Sequence, residues 1–337
     1  MSRRKRYTDW SQLRLLIESN LNQSGKFSVK VCVKGEIGRI ETGLYHHNYR
    51  FMIDGQGLAR EWKEKPLFLR LIPEKNVDRS REESVQYVQK EAETLRILKD
   101  LKFKFSTPEF ICMVNHQSGE IEGFIETCVR GIPLTLFKNS IHEDKIIPSI
   151  AEVAAAVHQV PPAYFPHLVA YPDNRTHIFT ELESLPKEVF EEYNAAQTVK
   201  RFIFDHIPKT KPSVLVHGDL LPQNLICGED DSGWRTSVID WEYSRIGDPA
   251  YDLSIVTRGD RKIAGKKNGL NLLLTFYREA GGLEISQSDV HIHELILALN
   301  WLWESTIKRR EGHNGHGPAF YLEKIESILR RIEKAGN

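Results

Sequence analysis

Residues 217–241 hold the side chains best suited to chemistry. His217-Gly218-Asp219-Leu220-Leu221-Pro222-Gln223-Asn224 sets a carboxylate and a carboxamide in one short loop, and Asp240-Trp241 follows sixteen residues after Asn224. Two acids and an amide are hard oxygen donors of the kind magnesium takes, and magnesium leaves its other positions to phosphate oxygens. An amide at the fifth position past Asp219 can turn back across the loop to complete such a site. Taken singly, each residue could order a loop or cap a turn. Only the set points to phosphate chemistry.

These groups need rigid elements beneath them. Ser213-Val214-Leu215-Val216 and Val238-Ile239 are β-branched, apolar runs that each lead to a polar residue. Leu225-Ile226 lies between them, and the acidic, glycine-bounded stretch 228–233 reads as a hairpin turn. Buried strands leading to Asp219 and Asp240 would hold both carboxylates at the mouth of one cleft. Upstream, Thr8-Asp9 can cap a helix with Trp10, Leu13, Leu16, Ile17 and Leu21 at helical spacing. Strands are expected at Val29–Val33, Tyr49–Ile53 and Leu67–Leu71, with Gly35 and Gly38 as turn glycines. A helix is expected from Arg81 to Leu101, then an antiparallel pair at Ile111–Val114 and Gly123–Thr127. Beyond residue 140 the pattern turns helical, over 142–159, 174–207, 265–280, 287–309 and 318–335.

The Asp219–Asn224 interval, the Leu220 after the acid and the second acid downstream resemble the catalytic loop and metal-binding segment of protein kinases. Gly218 stands where protein kinases carry Arg, which points towards kinases of small molecules. With Gly247-Asp248-Pro249-Ala250-Tyr251-Asp252-Leu253, the chain resembles the aminoglycoside phosphotransferase and choline kinase-like family over residues 35–310, most specifically over 213–256. That resemblance implies an α+β, two-lobed protein-kinase-like fold. Residues 1–128 would form a small, β-rich N-lobe with one main helix that covers the nucleotide. Residues 129–337 would form a larger, mostly helical C-lobe with the catalytic loop, the metal site and the acceptor helices. The activity implied is transfer of the γ-phosphate of ATP or GTP, with Mg2+, to a hydroxyl of a small molecule: an aminoglycoside-like compound, an amino alcohol or a sugar.

The resemblance also distributes roles. Asp219 would orient the acceptor hydroxyl and take its proton, His217 and Asp252 would brace the loop, and Asn224 and Asp240 would hold magnesium. Arg70 would fix the α/β-phosphates with Glu91 as its helix partner, although the usual residue at that strand position is Lys and the guanidinium fork is a different geometry. Glu91 and Glu93 point about 200° apart round a helix, and Glu91 is the one chosen. The turn from Gly43 to Asn48 would cover the phosphates, and Glu126 to Leu134, centred on Cys128, would be the hinge that meets the purine edge. Glu242, Trp301 and Glu304 are candidates for contact with the acceptor, with a core role open for the tryptophan. His158, the pair His291 and His293, and the pair His313 and His316 read as structural or solvated histidines. Two other readings stay open: a pseudokinase that only binds nucleotide or a partner, and a protein kinase-like enzyme.

Composition sets the remaining bounds. At 337 residues the chain is long enough for two cores, and its 46 basic and 46 acidic residues cancel, so no global field recruits nucleic acid or an anionic membrane. The Arg3-Arg4-Lys5-Arg6 cluster reads as a solvated tail. No apolar run suits a membrane span or a signal peptide. Cys32, Cys112, Cys128 and Cys227 show no paired spacing, so the expectation is a reduced, cytoplasmic protein whose oligomeric state is open.

Overall fold

The structure is a computed structural model that describes residues 9–40, 46–74, 79–134, 143–230, 233–259, 263–313 and 315–335. The fold is α+β, and contacts divide the chain into two compact units. The first joins Met1–Gly131 to Gly228–Glu242; the second joins Ile132–Cys227 to Tyr243–Asn337.

The first unit is built on an antiparallel sheet of β1 (Cys32–Ile40), β2 (His47–Asp54), β3 (Leu67–Leu71), β4 (Phe110–Asn115) and β5 (Ile121–Thr127), in the order β1-β2-β3-β5-β4. Side chains alternate between the two faces of a strand. Leu67, Leu69, Leu71, Tyr49, Phe51 and Ile125 therefore share one apolar face, which packs on Leu13, Ile17 and Leu21 of α1 (Trp10–Gln23). Asp9 caps α1 by accepting from the Ser11 amide. Each of these buried aliphatic or aromatic side chains contributes about 1.5–3 kcal/mol. The register puts Asn48, Phe68, Arg70, Phe124 and Glu126 on the opposite face.

After a short helix α2 (Arg60–Glu64) and strand β3, the long helix α3 (Arg81–Asp100) begins with a complete capping box between Ser80 and Glu83. Its buried stripe is Val88, Glu91, Leu95 and Leu98, spaced three and four apart. That spacing carries Glu91 inward, while Glu93 stays partly exposed and pairs with Arg96. Two expectations are corrected. β1 starts at Cys32 and runs on through Gly35 and Gly38, with a register shift between Lys34 and Gly38 where Gly35 takes a φ of 70°. The two glycines make a bulge, not a turn.

The second unit opens with the two-residue strand β6 (Ile132–Pro133) and α4 (Glu143–His158). The expected helix over 174–207 is three helices: α5 (Asn174–Glu183), α6 (Lys187–Glu192) and α7 (Asn194–Asp205). Pro186 is the cause of the first break, since it restricts the residue before it and serves as the N-cap of α6. β7 (Val214–Val216) leads to the His217 loop; β8 (Leu225–Asp230) and β9 (Gly233–Val238) follow as the expected hairpin and, from Gly228 to Glu242, carry the chain back into the first unit. β10 (Arg245–Gly247) pairs antiparallel with β7. It leads into α8 (Pro249–Thr257), a helix not anticipated from the sequence, capped by Asp248 with Pro249 at its first position. α9 (Gly269–Glu279), α10 (Gln287–Arg310) and α11 (Pro318–Ala335) complete the unit. Their core joins Leu295, Leu299 and Leu302 to Ile325 and Ile328, with Ile178 and Val199 from α5 and α7. Among the described residues no helix is long and apolar enough to cross a membrane.

Candidate active site

The catalytic-loop candidates lie together in the second unit. Asp252, on α8, is completely buried and accepts from the backbone amides of His217 and Gly218, both at 2.8 Å. His158 stands 3.1 Å from the same carboxylate through Nε2, and its Nδ1 lies 2.8 Å from the Tyr277 hydroxyl. Burial works against the Asp252 charge, yet the hydrogen bond and charge of His158, with His217 beyond it, hold the carboxyl below its ordinary range. Gly218 has a φ of 84°, and a Cβ there would come within 2.1 Å of the Tyr243 carbonyl oxygen. No residue with a side chain fits, which accounts for the missing arginine.

Downstream of that anchor the loop is tied to itself. The Asp219 amide donates to His217 Nδ1 at 3.2 Å, and Asn224 Nδ2 donates to the Asp219 backbone carbonyl at 2.8 Å and to its Oδ2 at 2.9 Å. The acceptors on both of those bonds fix the orientation of the carboxamide. These bonds commit the Asn224 amide nitrogen to Asp219. Asp219 itself is half-buried.

A second cluster belongs to the first unit. Arg70 donates to Glu91 Oε1 at 2.6 Å through Nη1 and to Asp240 Oδ1 at 2.7 Å through Nη2. A lysine has no fork with which to make both contacts in this way. Asp240 takes a left-handed φ of 70°, and the next amide, that of Trp241, donates to Glu91 Oε1 at 3.1 Å. Trp241 is itself fully buried and donates its indole N–H to the Val238 carbonyl at 3.2 Å. Asn48, on β2, pairs in register with Arg70 and is buried. Gly43 lies outside the described residues.

Sequence reasoning passed over two members of this cluster. Arg79 pairs with Glu242 at 3.0 Å, and His46 Nδ1 lies 3.4 Å from Arg70 Nη2. Burial, then the Arg70 charge, pushes the His46 imidazole down to about 3, so it is neutral. The four carboxylates Glu91, Glu126, Asp240 and Glu242 face two guanidiniums, Arg70 and Arg79. Burial opposes the Arg70 charge, but Glu91 and Asp240 outweigh it and raise its pKa. Burial also raises Glu91 and Glu242, and pushes Glu126 up to about 7. Among the described residues, Arg70 Nε, Glu91 Oε2 and Glu126 Oε2 are buried without a hydrogen-bond partner. No group of three or more His, Cys, Asp or Glu among the described residues could hold a metal by itself.

The remaining candidates are less suited to their expected roles. Glu242 is buried and spent on Arg79, so it has no surface to offer an acceptor. The Cys128 amide already donates to the Pro66 carbonyl at 2.9 Å, which removes its N–H from any purine edge. Trp301 is half-buried, with Arg258 and Lys324 over its ring at 5.7 and 5.6 Å. With Glu304 it lines a pocket of about 250 Å³ at the end of α10, together with Lys308 and Tyr321. The histidines at 158, 291 and 293 are all buried and bonded to acidic side chains, as structural residues are.

Residues 37–281 match the model of the phosphotransferase enzyme family. Protein LicA of Haemophilus influenzae is 25% identical over 123 residues, which are 35% of this chain and 43% of that protein, so the alignment spans less than half of the curated relative. Among solved structures, a macrolide 2'-phosphotransferase type I is similar with a TM-score of 0.61 at 19% identity, covering 96% of this chain and 97% of its own. The GDP and kanamycin complex of APH(2")-IIia gives a TM-score of 0.62 at 15% identity, with 92% and 97% covered. LicA in complex with AMP gives 0.56 at 17% identity, with 94% and 98% covered. Those likenesses show the fold, and the family match extends over most of the chain: it belongs to the phosphotransferase enzyme family.

Proposed function

We propose that this chain transfers the γ-phosphoryl group of a purine nucleoside triphosphate to a hydroxyl of a small molecule. The observation that carries the reading is the Asp219–Asn224 clasp on a loop held by Asp252. Phosphoryl transfer has a loose transition state, so positioning and charge stabilisation matter more than strong base chemistry. Asp219 aligns the acceptor oxygen and takes its proton late, as the new P–O bond forms and the bond to the nucleoside diphosphate breaks. His217 and Asp252 keep the loop from moving during that step. Arg70, fixed by Glu91, neutralises phosphate charge.

Asp240, in the first unit, and Asn224, in the second, would each offer magnesium an oxygen ligand. Asp240 offers carboxylate oxygens and is only partly buried, the Asn224 amide oxygen is free of its nitrogen's commitments, and the carboxylates of the Arg70 cluster outnumber its cations by two. Once bound, that ion supplies charge neutralisation for the phosphate oxygens. The free thiols at Cys32, Cys112, Cys128 and Cys227 support a reducing, cytoplasmic setting. The made Arg70–Glu91 pair supports turnover over a binding-only pseudokinase.

A transfer screen tests the reading. ATP and GTP with magnesium are offered with aminoglycosides, macrolides, choline, ethanolamine and simple sugars. At least one hydroxyl acceptor should be phosphorylated, and Asp219→Asn should lower the rate at least about 100-fold, as loss of a positioned proton acceptor does. Retention of most of the rate by that variant would remove Asp219 from the role.

A further inference from the structure

The pocket of about 250 Å³ at the end of α10 lies within the second unit, and its charge is unlike that of the chain as a whole. The chain carries equal numbers of basic and acidic residues. In the pocket, Lys308 and Arg309 line one wall, and Arg258 and Lys324 stand 5.7 and 5.6 Å from the centre of the Trp301 ring that forms another. Glu304 is the one carboxylate among the described lining residues, and it is already engaged. Asn300 Nδ2 donates to its Oε1 at 3.1 Å, and Lys308 Nζ stands 3.9 Å from its Oε2. The negative end of the α10 dipole accounts for Lys308 and Arg309 in the last turn. It does not account for Arg258, at the end of α8, or Lys324, on α11, which reach the same ring from other elements. Lys324 is held there by donating to the Arg258 carbonyl at 3.0 Å. Four cations around one carboxylate suit an oxyanion and repel a polyamine.

The same helix ties the pocket to the catalytic loop. Leu297 on α10 packs with Leu221, Tyr251 and Ile255, so α10 meets the loop two residues past Asp219. Trp301 follows Leu297 by four residues, and Ser305 and Lys308 continue that stripe. The pocket therefore opens about 6 Å along the helix from the contact with the loop. Arg258 follows Ile255 by three residues and brings α8 to the same place. The half-buried rings of Trp301 and Tyr321, with centres 6.4 Å apart, supply a broad apolar surface beside the charges.

We infer that this pocket takes an oxyanion, phosphate or carboxylate, borne by the hydroxyl compound that the chain phosphorylates: the acceptor is acidic, not a polycation of the aminoglycoside kind. This rests on the proposed phosphotransfer activity, and it adds acidic hydroxyl compounds to the transfer screen.

Glucose, glucosamine, glucuronate and glucose 6-phosphate share a pyranose ring and differ in charge, and calorimetry of the full chain without nucleotide reads their binding. Glucuronate or glucose 6-phosphate should bind at least about tenfold more tightly than glucose, with glucosamine the weakest, a ratio that charge-assisted hydrogen bonds produce. A preference for one acid alone supports the inference and names the oxyanion. Lys308 and Arg309 are exposed and lie outside the Asp219 loop. Lys308→Gln with Arg309→Gln should bring all four compounds within about threefold, and Lys308→Glu with Arg309→Glu should put glucosamine first. Should the glutamate pair fail to fold, the glutamine pair decides alone. Glucosamine bound as tightly as the acids, an acid preference that the glutamine pair keeps, or no binding by any of the four at about 10 mM overturns the inference. Transfer from ATP with magnesium is then measured on the same compounds and on an aminoglycoside. Faster transfer to the aminoglycoside than to either acid overturns the inference and keeps the phosphotransfer reading. Acid binding with no transfer to any acceptor overturns the phosphotransfer reading and leaves the oxyanion pocket standing.

Discussion

The loop of residues 217–224 and the cluster around Arg70 handle buried charge in opposite ways. In the loop, Asp252 is met by two backbone amides and an imidazole, and Asp219 by the Asn224 amide; burial is repaid in hydrogen bonds, and the Asp252 pKa falls. In the cluster, four carboxylates share two guanidiniums, polar atoms are left without partners, and burial drives the carboxyl pKa values up. The first arrangement has its internal partners before any ligand arrives, which suits a loop that must hold Asp219 and Asn224 in place. The second calls for cationic and hydrogen-bonding partners from outside, and it is the part expected to meet the nucleotide phosphates, with Asp240 as its metal ligand. Stability and readiness to bind are thus placed in different parts of one chain.

The largest effect should come from breaking the finished region. Asp252→Ala would strand the amides of His217 and Gly218 and the His158 donor in a fully buried site. A loss of about 4 kcal/mol of unfolding free energy is expected, together with collapse of phosphate transfer. Denaturant unfolding checks the first and a transfer assay the second; a small change in midpoint would show that solvent can take over the role of Asp252.

In the unfinished region the expected costs fall on ligand handling. Arg70→Ala should lower kcat/KM by about 2–4 kcal/mol in transition-state terms, because a partly dehydrated cation is lost from the phosphates. Arg70→Lys should restore only part of this, since an ammonium, though it has three donors, lacks the planar fork that sets Nη1 on Glu91 and Nη2 on Asp240. Steady-state kinetics with varied nucleotide would reveal it, and a near-normal Ala variant would require a different phosphate-binding residue.

The smallest effect has the opposite sign. Burial pushes the Glu126 carboxyl up from an ordinary 4.5 to about 7. The folded state therefore holds its proton more firmly, and the wild-type advantage present below about 4.5 is lost as pH rises through about 7. Glu126→Gln does not titrate. It should match the wild type at pH 4.5 and exceed it by up to roughly 3 kcal/mol at pH 8. Thermal unfolding at the two pH values would test this; a gap that does not change with pH would mean that Glu126 is not a buried titrating group.

Part of each region is legible in the sequence, where a short loop or a helical stripe carries the residues. Asp219 and Asn224 are bound within one loop, and Glu91 falls on the Val88–Leu95 stripe of α3, so spacing alone turns it inward. His46, Arg79 and Tyr277 are not legible in this way. Each reaches a partner far along the chain: Arg70, Glu242 and His158 respectively. No periodicity records a meeting of that kind. The Gly35 bulge and the Pro186 break show the same limit at the level of elements. A glycine serves turn and bulge alike, and the helical pattern of 174–207 survives a proline that the backbone does not.

Hydrogen exchange read by mass spectrometry, with and without magnesium and ATP, tests the contrast most directly. Amides of residues 214–221 should be protected already and change by less than about threefold on addition of the nucleotide, because their partners are internal. Segments 67–71 and 88–95, which carry Arg70 and Glu91, should gain at least about tenfold protection as the ligand supplies what the cluster lacks. The reverse pattern, with the 217–221 loop ordering on binding and the Arg70 segments unmoved, would contradict the account.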